Sequence, residues 1–263
     1  MSVLEVAGLA KSFGGVKAVD GVTFNVERGE FLALIGPNGA GKSTCFNMIN
    51  GQLTPDAGDV RLDGRSIARL SPRQIWSAGV GRTFQIAATF ASFTVIENVQ
   101  MALLSHRGEV YRFVGGVGPR HREEAIALLD RVGMADQSYR SSRELAYGDV
   151  KRLELAIALA NDPKLLLMDE PTAGMATKER NELIALVKRL VVEHGISVLF
   201  TEHSMDVVFT FADRIVVLAR GRLIAEGDAA SIRANKDVQA VYLGTGKVFE
   251  RKGAARPSGA QAP

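Results

Sequence analysis

The sequence has little cysteine: Cys45 is the single one among 263 residues. One cysteine cannot form a disulfide within the chain, so a scaffold held together by disulfides is excluded and a reducing compartment is expected. Cys45 falls within a stretch with a helical pattern. The ordinary expectation is a buried small apolar side chain, and a redox role is the alternative.

Long apolar runs are also missing. A membrane-spanning helix needs about 18–20 consecutive apolar residues, and no stretch of the sequence approaches that length. The N-terminus shows no basic segment followed by an apolar one, so a signal peptide is not expected. Any role at a membrane is therefore predicted to be peripheral.

Neither sign of charge dominates, since 32 Lys and Arg face 29 Asp and Glu, for a formal net charge of +3. Nucleic-acid binders usually cluster basic residues on one face, whereas here they are spread along the chain, so no nucleic-acid partner is predicted. The one local bias is basic, in a Gly/Ala/Pro-rich end at residues 246–263. This composition predicts a disordered, solvated tail, with contact to anionic lipid as the alternative.

Strand and helix patterns alternate in two parts of the chain. Apolar runs predict strands at 3–7, 30–35, 165–168, 198–201 and 215–218. A turn signal at Asp63-Gly64 predicts a hairpin of 59–62 with 66–68. Helical spacing predicts helices at 42–50 and 178–193. Such alternation predicts a mainly parallel sheet with helices on both faces. Ligands of such sheets bind at the carboxyl ends of the strands.

Between these parts lies a stretch of helical patterns, at residues 95–104, 120–132 and 149–160. They predict a helical lobe inserted at about residues 86–162. In the last of these helices the apolar face is predicted to contain Val150, Leu153, Ile157 and Ala160, with Lys151, Arg152 and Glu154 mostly off that face.

A glycine-rich loop joins the strand at 30–35 to the helix at 42–50, and it fits the pattern G-x-x-x-x-G-K-S/T. Backbone amides in such a loop form a concave anion site, and the following helix points its positive end at the same place. Lys42 is predicted to reach the β- and γ-phosphates and Ser43 to ligate Mg²⁺. The predicted nucleotide-binding residues are Gly36, Pro37, Asn38, Gly39, Ala40, Gly41, Lys42, Ser43 and Thr44.

A pair of carboxylates, Asp169 and Glu170, follows the apolar strand at 165–168. The strand would deliver both to the edge of the sheet where the phosphate loop lies. Asp169 is placed to hold Mg²⁺, and Glu170, one residue further on, could polarise the attacking water. An exposed acidic turn is the alternative for this pair taken alone.

From about residue 4 to residue 243, these motifs in this order resemble the ATP-binding subunits of ABC transporters. The resemblance implies roles for further residues: Phe13 stacks on adenine, Gln85 senses Mg²⁺ and the attacking water, residues 145–149 are the signature segment, residues 173–176 are the dimer-contact loop, and His203 contacts the γ-phosphate. Taken singly, each residue also has an ordinary structural explanation, and their joint order favours the functional one.

The signature departs from the family's usual LSGGQ. Ala146 and Tyr147 replace the serine and the first glycine, and Asp149 replaces the glutamine. The serine hydrogen bond to nucleotide is therefore lost, while Gly148 and the helix start can still present N–H groups. The resemblance thus implies nucleotide contacts from Ala146, Tyr147 and Gly148. The dimer-contact loop has Ala176 in place of the usual aspartate.

The LAYG form of the signature, with FGGV at 13–16 and VYLG at 241–244, resembles the subfamily that serves branched-chain amino acid importers. The resemblance implies a P-loop NTPase core with a mainly parallel sheet, an N-terminal antiparallel β subdomain and the inserted helical lobe, in one ABC ATPase domain at 1–245. The implied cofactors are ATP and Mg²⁺. The implied partners are membrane permease subunits, a second ABC ATPase subunit, and indirectly a periplasmic binding protein. The second subunit is either identical or different, and two different subunits are usual in this subfamily. Phe90 and Phe93 in the helical lobe are the candidate dock for the permease, with a place in the core as the alternative. The implied location is the cytoplasmic face of the inner membrane.

Other functions within the wider family stay open. A soluble ABC ATPase of DNA repair or translation fits poorly, because repair members carry very long insertions and translation members carry two cassettes. Importers of urea, amides or aromatic acids are alternatives for the cargo, and the missing serine argues against a lipopolysaccharide exporter. The cargo itself is not encoded here, since membrane and binding-protein subunits select it.

Overall fold

A computed structural model of the chain describes residues 1–83, 89–109 and 119–243. Apolar and β-branched runs form its strands, and turns rich in Gly and Asp separate them. The strands are β1 (Ser2–Phe13), β2 (Val16–Glu27), β3 (Phe31–Ile35), β4 (Ala57–Leu62), β5 (Arg65–Ser66), β6 (Val80–Thr83), β7 (Leu165–Asp169), β8 (Ser197–Thr201), β9 (Arg214–Ala219) and β10 (Arg222–Gly227).

Helices lie between and after these strands. They are α1 (Lys42–Ile49), α2 (Pro72–Ser77), α3 (Val95–His106), α4 (Arg122–Arg131), α5 (Tyr147–Leu159), α6 (Thr177–His194), α7 (Met205–Phe211), α8 (Ala229–Ala234) and α9 (Lys236–Leu243). Capping boxes fix the starts of α2 at Ser71 and α3 at Thr94. None of the helices in the described ranges combines the length and the apolar character that crossing a bilayer requires.

The larger sheet has the strand order β10-β9-β3-β8-β7-β6, and its pairs are parallel except for the antiparallel β9–β10 hairpin. The predicted mainly parallel sheet is confirmed. A separate antiparallel sheet has the order β2-β1-β4-β5, which confirms the predicted N-terminal β subdomain. The predicted hairpin around Asp63-Gly64 is confirmed by the antiparallel pairing of β4 with β5. Its second strand, predicted at 66–68, instead ends at Ser66, and the next two residues are buried outside it.

Strand β3 lies at the centre of the larger sheet and is buried along its whole length. Its side chains alternate between faces. Leu32 and Leu34 pack in the core shared with the antiparallel sheet and α1, whereas Phe31, Ala33 and Ile35 pack with α3, α5 and α6. Both faces of β3 are covered by other elements. At its carboxyl end the strand continues into the glycine-rich loop.

Helix α5 differs from the predicted amphipathic helix. Lys151 and Glu154, predicted to lie off the apolar face, are each 5% exposed and form an ion pair with Nζ and Oε2 2.9 Å apart. Val150 and Ile157, predicted on the apolar face, are only partly buried. The reason is tertiary: α5 packs against α3, α4, α6 and β6, so the helix is covered on most sides and its charges have to pair with each other.

Candidate functional site

The loop after β3 is built on glycines that no other residue could replace. A Cβ at Gly36 would lie 2.2 Å from the Leu218 carbonyl oxygen, and one at Gly41 would lie 2.4 Å from the Ala18 carbonyl oxygen. Both also have positive φ angles, +154° and +102°. The predicted phosphate loop therefore packs its backbone directly on neighbouring backbone, which fixes the position of its amides.

Lys42 is the first residue of α1 and is 7% exposed. Its Nζ donates hydrogen bonds to the carbonyl oxygens of Gly36, at 2.8 Å, and Pro37, at 3.2 Å. The ammonium thus lies inside the curve of the loop, where the predicted phosphates would lie. Binding a phosphate there requires the ammonium to exchange these carbonyl oxygens for phosphate oxygens. The new hydrogen bonds join two opposite charges and are therefore stronger than those to the carbonyls.

Strands β7 and β8 are adjacent and parallel, so they bring their carboxyl ends to the same edge of the sheet. Asp169 pairs with Thr201 in register, and the fully buried Thr201 hydroxyl donates a 2.7 Å hydrogen bond to Asp169 Oδ1. Arg82, from β6, brings a guanidinium nitrogen to 3.7 Å from Asp169 Oδ2. Burial lowers the pKa of Arg82, and the charge of Asp169 opposes that shift.

Glu170 and His203 lie side by side although 33 positions separate them: His203 Nε2 is 2.6 Å from Glu170 Oε1. Glu170 occupies the left-handed region with φ +49°, which is uncommon for a residue other than glycine. Its amide donates to the Thr201 hydroxyl oxygen at 3.0 Å. This turn redirects the chain immediately after the strand and aims the Glu170 carboxylate at His203.

Sequence reasoning assigned no role to Glu202, which is 5% exposed. Its carboxylate accepts hydrogen bonds from the Thr172 hydroxyl at 2.6 Å, the Thr172 amide at 3.1 Å and the His203 amide at 3.1 Å. Glu202 therefore joins the turn after Glu170 to the turn that carries His203. A carboxylate following the mainly apolar strand β8 was the available signal, but its partner Thr172 lies 30 residues away.

A cavity of about 210 Å³ lies where these parts meet. It brings together the start of the phosphate loop, the turn that carries His203, and the C-terminal helix α9. Its lining residues are Gly36, Pro37, Asn38, Glu202, His203, Met205 and Tyr242. Three of the predicted loop residues, Gly36, Pro37 and Asn38, are thus brought to one cavity with His203.

The predicted signature residues lie elsewhere, at the start of α5, and do not line this cavity. Ala146 is the residue before the helix and Tyr147 is its first residue, and both are exposed. The Tyr147 hydroxyl donates a 3.0 Å hydrogen bond to the carbonyl oxygen of Ala173. The signature segment and the dimer-contact loop are therefore tied together within one chain.

Two predicted residues stand apart from the cavity. Phe13 ends β1 with 48% of its surface exposed, and Lys11 Nζ is 5.9 Å from its ring centroid. An exposed ring of this kind could serve as a stacking platform, which stays a prediction. Gln85 lies outside the described residues.

The oxygen donors at the site suit a small hard cation. Asp169 offers a carboxylate with one oxygen already oriented by Thr201, and Ser43 offers an exposed hydroxyl at the second position of α1. Magnesium ions in proteins are commonly held by one or two such side chains together with phosphate oxygens of the substrate. The residues present therefore fit Mg²⁺ bound jointly with a nucleotide.

Comparison with protein families matches residues 19–173 to the family described as "ABC transporter". Residues 222–248 match the family described as "Branched-chain amino acid ATP-binding cassette transporter". The high-affinity branched-chain amino acid transport ATP-binding protein BraF of Pseudomonas aeruginosa is 41% identical over 251 residues, covering 92% of this chain and 98% of that protein.

Solved structures agree with these matches. A nucleotide-free ATP-binding cassette from an ABC transporter superposes with a TM-score of 0.83 at 30% identity, covering 92% of this chain and 99% of that one. A dimeric ATP-binding cassette in a post-hydrolysis state, bound to ADP and Pi, superposes with a TM-score of 0.72 at 27% identity, covering 86% and 98%.

Proposed function

The chain belongs to the ATP-binding proteins of ABC transporters and is an ATPase, and we propose that it energises an importer of branched-chain amino acids. The proposed mechanism rests on the 2.6 Å contact between Glu170 Oε1 and His203 Nε2. His203 lines the cavity beside the phosphate loop. The branched-chain transport ATP-binding proteins at up to 41% identity, and the family match at residues 222–248, support the cargo.

In this mechanism each residue acts on the γ-phosphate or on the attacking water. The backbone amides of the phosphate loop and the Lys42 ammonium hold the charge that develops on the phosphate oxygens. Glu170 accepts a hydrogen bond from the water and orients it in line with the bond to be broken. His203, positioned by Glu170 and by the Glu202 turn, contacts the γ-phosphate.

Asp169, Ser43 and Gln85 are proposed to hold Mg²⁺ with the nucleotide. The cation would supply neutralising charge at the phosphates of the nucleotide. The Thr201 hydroxyl keeps Asp169 Oδ1 oriented, at 2.7 Å, and Oδ2 lies 3.7 Å from the Arg82 guanidinium. Phe13 is proposed to stack on adenine.

We infer a site shared between two subunits. Ala146, Tyr147 and Gly148 do not line the cavity of their own chain. Ala146 and Tyr147 are exposed and no side chain caps the start of α5, so the first N–H groups of the helix suit an anion. A similar cassette is dimeric with ADP and Pi bound. The signature of a second ABC ATPase subunit would then cover the nucleotide on this chain.

The membrane permease subunits are proposed to dock on the helical lobe after Gln85, holding this subunit at the cytoplasmic face of the inner membrane. Phe90 supports that place: its side chain is 54% exposed and its ring centroid is 5.2 Å from that of Phe93. A periplasmic binding protein would act through the permease, and no contact with nucleic acid is proposed.

Replacing Glu170 with glutamine in the full-length chain tests the mechanism. The amide keeps the shape of the side chain but cannot accept a proton from water, so we expect ATP turnover to fall by about 10²–10⁴-fold while ATP stays bound. Steady-state phosphate release and nucleotide retention on gel filtration measure the two effects. Glu144→Gln, at a side chain 66% exposed, is the matched control, and wild-type turnover by E170Q would refute the assigned role.

The cargo is tested separately in vesicles that contain the assembled transporter. Uptake of labelled leucine that requires ATP and is lost with Glu170→Gln is the expected result. ATP-dependent uptake of urea or of an aromatic acid in place of leucine would contradict the cargo and leave the ATPase mechanism intact.

A further inference from the structure

The C-terminal helix α9 reaches the phosphate loop. It packs on β10 together with α8, and its Val238 is fully buried. One turn further along, Tyr242 is 5% exposed and lines the cavity opposite Gly36, Pro37 and Asn38. A helix more than 190 positions beyond the loop in sequence thus contributes to the wall of the cavity at the start of that loop.

Gly36 is held from several sides. Its Cα packs against the Leu218 carbonyl, where no side chain would fit, and its own carbonyl oxygen accepts from Lys42 Nζ at 2.8 Å. The same cavity brings the buried Tyr242 beside Gly36. Burial raises the pKa of the Tyr242 hydroxyl, and its interaction with the Gly36 backbone opposes that rise.

Nucleotide binding disturbs this arrangement at one point. When Lys42 turns to a phosphate, it leaves the carbonyl oxygen of Gly36, so the first peptide of the loop loses one of its anchors. A loop that is already ordered binds more tightly than one that must become ordered on binding. The remaining contact of Gly36 with the helix then decides how well the loop keeps its shape.

We propose that Tyr242 is a positioning residue of the nucleotide site, and that docking of α9 beside Gly36 sets how tightly the phosphate loop holds ATP. This inference rests on the proposed ATP site. It adds that helix α9 influences the affinity of that site for ATP. By linkage, a helix that favours nucleotide binding is itself held more firmly when nucleotide is bound.

Tyr242→Phe in the full-length chain tests the hydroxyl, because the ring and its packing remain. Losing the interaction of the hydroxyl with the Gly36 backbone, at the net strength of an ordinary polar contact, predicts an affinity for ATP about 2–10-fold weaker. In steady state the KM for ATP rises while kcat changes less, which a general loss of stability would not produce. Tyr139→Phe, at a tyrosine that is 64% exposed, is the matched control, and Tyr242→Leu separates lost packing from the lost hydroxyl.

Hydrogen exchange of the wild-type chain provides a test that does not depend on any variant folding. Added ATP is expected to slow exchange of the amides at 236–243. Equal ATP affinity of Y242F and the wild type, or exchange at 236–243 that ATP leaves unchanged, overturns the proposal. A wild-type chain that binds no ATP would instead overturn the proposed function.

Discussion

The hydrolytic residues hold their geometry through neighbours that are themselves buried. Glu170 adopts a left-handed conformation that costs of order 1 kcal/mol or more in isolation. Thr201 compensates, since its hydroxyl oxygen accepts from the Glu170 amide while its proton goes to Asp169. One buried threonine thus contacts the Asp169 carboxylate and the Glu170 backbone, and a substitution there would disturb both residues at once.

At the same scale, Asp149 is the signature departure with the clearest expected effect. It lies in the first turn of α5 and accepts a 3.4 Å hydrogen bond from Gln137 Nε2. As an acid it stabilises the helix start, but it also places negative charge near the triphosphate of the proposed shared site.

We predict that Asp149→Gln raises ATP turnover modestly, by about twofold, because a screened surface charge contributes only a few tenths of a kcal/mol. Steady-state ATPase measurements on the assembled transporter check this. Asp136→Asn, an exposed acid outside the signature, should leave the rate unchanged. An unchanged or lower rate for D149Q would count against charge repulsion at this position.

Among the elements, α5 has to carry the signature at one end and a buried ion pair in its second turn. The side chains of Lys151 and Glu154 are each 4% exposed. A buried pair is expensive to assemble, and removing one partner leaves the other charge without its counterion. The Lys151 ammonium also lies 5.6 Å from the Tyr147 ring centroid, which connects the pair to the signature.

Glu154→Ala is expected to lower the free energy of unfolding by about 3–5 kcal/mol, because the buried Lys151 charge loses the carboxylate that lies 2.9 Å from it. Urea denaturation followed by circular dichroism measures the change. Glu144→Ala, at an exposed carboxylate just before α5, should change stability by no more than about 0.5 kcal/mol. A similar small effect for both variants would show that the buried pair contributes little.

The sequence predicted the elements best where their apolar runs were continuous. The runs at 30–35 and 165–168 became β3 and β7 because both faces of the sheet are covered. Strands β2 and β10 were not predicted. In β2, Asp20-Gly21 interrupts the alternation of apolar and polar residues. Strand β10 is short and its exposure varies along its length. Pairing with β1 and β9 therefore decides the conformation of these two strands.

For the molecule as a whole, two cores lie on opposite faces of the larger sheet, and Cys45 is buried completely in the one shared with the antiparallel sheet. Burial raises the pKa of its thiol from 9.0 to about 12. The expectation of a buried small apolar side chain holds. The neutral thiol is favoured in the folded state, so this residue's contribution to stability is complete below pH 9 and is lost as pH rises towards 12.

Because the thiolate is the reactive form, Cys45 is expected to resist a thiol reagent such as DTNB at pH 8 in the folded protein and to react once urea unfolds it. Thiol reaction and loss of circular dichroism should share one urea midpoint. Nucleotide should shift both midpoints upward together, since it binds the folded state. Rapid reaction without urea would mean that the core around α1 opens locally.

The sequence by itself determined the phosphate loop, the acidic pair and the family, because each depends on residues that are contiguous along the chain. A glycine loop that ends in Lys42 between a strand and a helix can be identified from its local residues alone. Only the tertiary structure decided that Glu170 meets His203, that Glu202 joins their turns, and that Tyr242 lies against Gly36. Those contacts arise because parallel strands bring distant carboxyl ends to one edge, and no local pattern encodes which residues meet there.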